Sequence, residues 1–107
     1  MSANYHKDVH YHNDLHAADV TQMAFMFIQE GALDDLIELT HLEGASMIVA
    51  AMCHDIDHDG YNNLFHVNAK TERALRYHNK AVQENWHAAK ALQLMTLPEN
   101  NFLDGLN

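Results

Sequence analysis

Apolar residues recur at helical spacing from about Asp14 to Gln29. Val20, Ala24, Phe27 and Ile28 share one face there, with Met23 beside them. Gly31 is the expected stop. A second segment, "LDDLIELTHLEGASMIVAAMCHDI", places Leu36, Ile37, Thr40, Ala45, Ile48, Val49 and Met52 in a similar pattern. It reads as one long helix or as two broken near Gly44, because glycine costs roughly 1 kcal/mol inside a helix. From Ala45 to Cys53 the segment is apolar almost all round, which predicts a buried helix. A buried strand is the competing reading, but alanines, methionines and length favour helix.

"HDGYNNLFHVN" has the composition of a turn-rich loop, with Gly60 placed for a tight reversal. A short helix is expected from about Ala69 to Tyr77, capped by Asn68. Another is expected from about Ala81 to Leu97, with Val82, Trp86, Ala89 and Leu92 as its apolar stripe and Pro98 as its stop. Trp86 and the methionines are expected in the core. The predicted fold class is all-α and multi-helical. Residues 102–107, "FLDGLN", offer no closing element, and the second segment is too apolar for so thin a shell. Residues 1–107 are therefore expected to be one partial domain, a piece of a larger one.

Charge and composition narrow the function classes. The chain has 107 residues and 48 % apolar residues, enough for one small domain. Its formal net charge is −9, which argues against binding a nucleic-acid polymer. A small anionic substrate stays open, since a bound divalent cation can invert the local field. No membrane segment is expected, because no run of apolar residues is long enough. "MSANYHKDVHYHND" has no signal-peptide core. The lone cysteine, Cys53, excludes an intrachain disulfide framework and leans to a reducing setting, so the cytoplasm is the expected compartment. The compositional oddity is the presence of 10 dispersed histidines, since imidazole is the commonest protein metal ligand.

The densest run of possible ligands, "HDIDHD", follows directly on the most apolar segment. Buried aspartates need compensation, and a cation would supply it. His12 and His16 are four residues apart and share a face if a helix begins before His12. His58 returns to the face of His54 by the same step, and Glu84 and His87 are an i, i+3 pair. His16, His54 and Asp55 can offer three ligands of the type zinc takes while leaving a position open for water. His58, Asp57 or Glu84 would then stand around them or serve a second, harder ion. A histidine that is not a ligand, such as His12, could protonate a leaving oxygen. Taken singly, each of these groups has a plainer reading as a cap, a turn residue or a solvated helical pair. His6, His10, His41, His66 and His78 carry no pattern that lifts them above surface.

Three stretches together resemble the class I cyclic nucleotide phosphodiesterases, which are HD-type metal phosphohydrolases. "YHNDLHAADVTQ" at 11–22 is similar to the signature YHN-x-x-H-A-x-D-V. "HDIDHDGYNNLF" at 54–65 is similar to H-D-x-x-H-x-G-x-x-N-x-F. "ERALRYHNKAVQENWHAAKALQLM" at 72–95 is similar to E-x-A-x-x-Y-N followed by V-x-E-x-H-H. The resemblance implies an HD-domain, phosphodiesterase-like helical fold, incomplete here. It implies hydrolysis of cAMP or cGMP to the 5′-monophosphate at a binuclear centre of zinc with magnesium or manganese. It places the proton donor on His12 and metal ligands on His16, His54 and Asp55, with Asp55 bridging two ions. His58 would position water or a neighbouring group, and Glu84 would support the water network. Tyr11 and Asn63 would line or brace the pocket. The implied partners are the small cyclic nucleotide and the remainder of the catalytic domain.

Some positions depart from the signatures. Asp59 stands where proline is usual, Asn79 where aspartate is common, and Trp86 where the first histidine of a pair is expected. The family's later aspartate ligand and the base-holding glutamine and aromatic clamp have no counterpart in the chain. Two other readings compete. One is a metal-stabilised helical module with a structural or interaction role. The other is an HD phosphohydrolase for linear phosphates, which "YHNDLH" disfavours.

Overall fold

The computed structural model describes residues 1–29 and 38–104. The expected stop at Gly31, and Leu36 and Ile37 of the second segment, lie outside the described residues. Among the described residues every regular element is helical, and no helix is long and apolar enough to cross a membrane.

Helix α1 (Asp14–Gln29) covers the stretch that its periodicity predicts, beginning where expected. Asn13 caps it, its Oδ1 accepting from the backbone N–H of Leu15 at 3.1 Å and of His16 at 3.2 Å. Helix α2 (His41–Cys53) begins at Thr40, so the chain does not break near Gly44. Thr40 and Glu43 form a reciprocal capping box, in which Glu43 N donates to Thr40 Oγ1 at 3.3 Å and Thr40 N donates to Glu43 Oε2 at 2.9 Å. Gly44 falls inside the helix, where that cap offsets its penalty.

The stretch expected as a loop contains helix α3 (Asn63–Asn68), capped by Asn62 through a 2.9 Å bond from Phe65 N. Gly60 does make the reversal before it, at φ +87°. Helix α4 (Glu72–Arg76) is shorter than expected and is capped by Thr71 rather than Asn68, which closes α3 instead. Helix α5 (Val82–Met95) is followed by a 3₁₀ turn at Pro98–Asn100.

The core gathers Tyr5, Ala17, Cys53, Ile56 and Ala91, with Val49, Met52, Leu94 and Met95 packed against it. Tyr5 reaches across from the N-terminal segment and donates its hydroxyl to the Met52 carbonyl at 3.0 Å. Helices α1 and α2 run antiparallel. Gly44, early in α2, lies beside Ile28 near the end of α1, and His54, at the end of α2, meets His16 near the start of α1.

Two burial expectations are corrected. Of Ala45–Cys53 only Cys53 is buried, while Ala45, Ser46 and Ala50 are exposed. Among the described residues α2 is covered by α1 and α5 and presents its remaining face outward. On α5 the buried set is Val82, Gln83, His87 and Ala91, with Trp86 half-buried and Ala89 and Leu92 exposed. That face carries a histidine and a glutamine because it packs on the polar segment 54–61 and supplies its hydrogen bonds. The methionines divide, with Met52 and Met95 against the core and Met23 and Met26 exposed.

Candidate metal centre

The antiparallel pairing brings together two histidines 38 residues apart in the chain. His16 sits in the first turn of α1, set there by the Asn13 cap, and His54 closes the C-terminus of α2. Their Nε2 atoms are 3.3 Å apart. Asp55 Oδ2 lies 3.4 Å from His16 Nε2 and 3.1 Å from His54 Nε2. One donor atom from each residue thus falls within 4.8 Å of the others, and all three side chains are half-buried. His54 Nδ1 is 2.9 Å from the Ala51 carbonyl oxygen, which can only accept. Nδ1 therefore carries the proton, and Nε2 presents its lone pair to the cluster. Two imidazole nitrogens and a carboxylate oxygen crowded this closely repel one another unless a proton or a cation lies among them. The donor set is that of a zinc or other divalent site with positions left over.

Beside this cluster three imidazoles stack. His58 lies 4.0 Å from His12 at an interplanar angle of 13°, and 5.4 Å from His87 at 18°. His12 precedes α1, so it does not share a helical face with His16, but their rings still pack edge to face at 6.0 Å. His58 is not on the helical face of His54, since the chain leaves α2 at Cys53 and turns. The turn passes through Asp57 at φ +60°, and Gly60 N donates to His58 Nδ1 at 2.9 Å. The neutral ring therefore carries its proton on Nε2. Burial, followed by the neighbouring His12 and His87, lowers the His58 pKa to about 4. His58 is thus a neutral plate stacked on His12. His87 is buried and donates Nδ1–H to the Ile56 carbonyl oxygen at 2.6 Å, while its Nε2 stands 4.0 Å from Asp55 Oδ1.

Glu84 and Asn63 form a separate pair. Asn63 Nδ2 donates to both Glu84 carboxylate oxygens, at 3.2 and 2.9 Å, and this holds the carboxyl below its ordinary range. Glu84 makes no hydrogen bond to the His16–His54–Asp55 cluster among the described residues, but with His54 and His87 it lines one cavity of about 750 Å³. Tyr11 is 65 % exposed, its ring 4.6 Å from His16 and 4.9 Å from His12. Asp57 faces away from the cluster, to His6 at 2.7 Å and to Trp86 Nε1 at 2.9 Å. His66, expected at the surface, is 2 % exposed and bonded to Thr71 and Asp59. Arg73 and Gln83 find partners 10 to 24 residues away, and His66 bonds Thr71 and Asp59, five and seven residues away, at spacings no helical or strand period marks.

A sequence model of the 3′5′-cyclic nucleotide phosphodiesterases matches residues 11–107. The chain belongs to this family. It is 41 % identical over 107 residues to the 3′,5′-cyclic-nucleotide phosphodiesterase regA of Dictyostelium discoideum, covering all of this chain and 13 % of that protein. It is 41 % identical over 95 residues to the 3′,5′-cyclic-AMP phosphodiesterase 4C of Mus musculus, covering 89 % of this chain and 14 % of the relative. A high affinity cGMP-specific phosphodiesterase 9A of Drosophila melanogaster is 39 % identical over 97 residues, or 91 % of this chain and 6 % of the relative. The phosphodiesterase domain of the RhoPDE fusion protein of Salpingoeca rosetta superposes with a TM-score of 0.90 at 30 % identity, over 99 % of this chain and 32 % of that one. The chain therefore spans a small part of the curated phosphodiesterases it matches, and about a third of a solved phosphodiesterase domain. The family is metal-dependent, and its helical fold is the one expected from the sequence.

Proposed function

We propose that residues 1–107 are the metal-binding part of a cytoplasmic 3′,5′-cyclic nucleotide phosphodiesterase catalytic domain, completed by the remainder of that domain. The observation that carries the reading is the convergence of His16, His54 and Asp55 from the facing ends of two helices, with His12 alongside. His16, His54 and Asp55 would hold the metal, and Asp55 would be shared with a second ion. Zinc with magnesium or manganese would supply water activation and charge neutralisation at the phosphoryl group when bound.

The chain's own residues account for the rest. His12, stacked on the His58 ring, gives a proton to O3′ as the P–O3′ bond breaks and a water oxygen, its own proton released to solvent, bonds to phosphorus. The product is the 5′-monophosphate. Tyr11, exposed beside both histidines, flanks the approach of the nucleotide, and Asn63 braces Glu84 at the edge of the cavity. A chain of net charge −9 repels a cyclic phosphodiester, so attraction has to come from the metal site.

The test is calorimetric titration of zinc and manganese, with cAMP and cGMP hydrolysis assayed on the full-length protein. The expected result is metal-dependent release of 5′-monophosphate that is lost in His12→Ala. A metal-saturated full-length protein that hydrolyses neither nucleotide overturns the reading. If chelation then unfolds it, the metal-stabilised module takes its place.

A further inference from the structure

The segment carrying His58 lies between α2 and α3 and has no regular backbone pairing of its own. It passes through a left-handed residue, Asp57, a conformation that persists only where the surroundings over-determine it. On one side Asp57 N donates to the Asn4 carbonyl oxygen at 3.0 Å and His6 Nε2 stands 2.7 Å from the Asp57 carboxylate; on the other side lie one guanidinium and its partners. Arg73, on α4, donates from Nη2 to the Asp57 carbonyl oxygen at 3.2 Å, and the same nitrogen lies 3.7 Å from the Asp57 carboxylate. Its Nη1 lies 3.4 Å from Asp59 Oδ2 and donates to Gln83 Oε1 at 2.8 Å.

Gln83 completes the ring, its Nε2 donating to Asp59 Oδ1 at 3.0 Å and to the Tyr61 carbonyl at 2.9 Å. His66 Nε2 is 3.3 Å from that same Asp59 oxygen. The guanidinium plane is backed by Trp86, 4.2 Å from its ring centre, and Trp86 in turn donates to Asp57. One planar fork therefore grips the residues on both sides of His58, while the His58 ring faces the other way, onto His12. No buried side-chain nitrogen or oxygen among the described residues lacks a partner, so the network is closed.

We propose that Arg73 is a positioning residue. By holding Asp57 and Asp59 it fixes the loop that sets the His58 ring against His12. Its catalytic meaning rests on the functional reading above; its structural meaning does not. Asp59 stands where the signature has proline, and proline would stiffen the same residue by locking φ. The ion pair performs by side-chain contact what a proline ring performs covalently. Asp59 N donates none of the backbone hydrogen bonds found outside the helices, so a proline there removes no such bond.

The experiment uses the full-length protein with Arg73→Leu, Asp59→Pro and the double substitution. One readout is kcat and KM for cyclic nucleotide hydrolysis. The other is hydrogen exchange of the Gly60 amide together with the ¹⁵N shift of His58 Nδ1, which reports the bond between them. Arg73→Leu is expected to lower kcat at least tenfold with little change in KM and to lose Gly60 protection. Adding Asp59→Pro is expected to recover both to within about threefold of the unsubstituted protein, because it restores stiffness at the residue that Arg73 held. Arg73→Lys keeps the charge without the fork, and is expected to fold and to show a smaller loss in the same direction.

An Arg73→Leu or Arg73→Lys protein that matches the unsubstituted one in both readouts overturns the proposal. So does a double variant no better than Arg73→Leu. If the unsubstituted protein hydrolyses nothing, the functional reading falls, while the Gly60 and His58 signals still decide the role of Arg73.

Discussion

His87 donates its Nδ1–H to the carbonyl oxygen of Ile56 at 2.6 Å, joining residues 31 positions apart. Ile56 is wholly buried, so its carbonyl has no recourse to water. The bond also fixes the tautomer of His87, leaving Nε2 directed towards Asp55. A single imidazole therefore anchors the segment after α2 and orients a neighbour of the metal cluster.

His87→Leu keeps much of the volume but leaves the Ile56 carbonyl without a donor. An unsatisfied buried acceptor costs about 1–3 kcal/mol. The urea midpoint is expected to fall by the corresponding amount at unchanged slope, and His87→Gln, which keeps an N–H donor, is expected to lose less. Equal midpoints for His87→Leu and the unsubstituted protein would show that the bond contributes nothing.

Metal binding should depend on all three cluster residues and most on Asp55, whose Oδ2 lies near both histidine nitrogens. Losing a group that merely orients a ligand costs about 10–100-fold in affinity, so losing a ligand should cost no less. Calorimetry with zinc on His16→Ala, His54→Ala and Asp55→Ala measures this directly. Thermal unfolding gives an independent check, since a ligand at about 100 times its Kd stabilises by about 2.7 kcal/mol. The zinc-induced rise in Tm is expected to vanish in Asp55→Ala and to be reversed by chelator in the unsubstituted protein.

The parts of this arrangement that could be read from the chain are those written in local spacing. Helix α1 starts where its apolar period starts, because cap and stripe lie within one short stretch. The start of α2 is set by the capping box of Thr40 and Glu43, a local spacing distinct from the apolar period in which Thr40 also falls. A cap worth about 1 kcal/mol offsets a glycine penalty of similar size, so the glycine's propensity did not decide the boundary.

Burial was harder to read. Leu92 looks apolar and is exposed, while Gln83 and His66 look polar and are buried. Their burial depends on the turn at Gly60, which folds Asp59 back onto His66 and onto Gln83, and no helical or strand period encodes that turn. The meeting of His16 with His54 and Asp55 likewise follows from the antiparallel pairing of α1 and α2, which periodicity alone does not specify.

Asn63 caps a helix that does not contain it. Ala81, at the N-terminus of α5, has no side chain able to cap, and instead Gln83 N donates to Asn63 Oδ1 at 2.8 Å. The other end of the same amide binds Glu84. Asn63→Ala removes both bonds and is expected to destabilise by about 1–2 kcal/mol, the usual cost of a lost cap. It should also raise the Glu84 pKa, because the Asn63 bond is the main cause of its lowering. Asn63→Asp keeps the acceptor but sets a second carboxylate against Glu84, so it should raise that pKa further. Denaturant unfolding and side-chain carboxyl NMR of Glu84 test the two effects separately.

The stacked histidines make a pH prediction whose sign follows from burial. His58 titrates at about 4 in the folded chain against 6.5 unperturbed, and burial lowers His87 as well. Between those two values the unfolded chain binds more protons at these positions than the folded one. Stability therefore rises with pH through that window. The contribution is complete above about pH 6.5 and is lost as pH falls towards about 4. Lowered carboxyl pKa values, such as those of Asp59 and Glu84, act in the same direction but at lower pH, where unfolded carboxylates take up protons. Between about pH 6.5 and 5 the histidines should therefore dominate. Urea midpoints taken across that range in the presence of chelator, which keeps metal from competing with protons, should fall steadily for the unsubstituted protein. They should fall less for His58→Gln, which can still accept from Gly60 N but takes up no proton. Parallel midpoint curves for the two proteins would mean that His58 titrates normally in the folded chain.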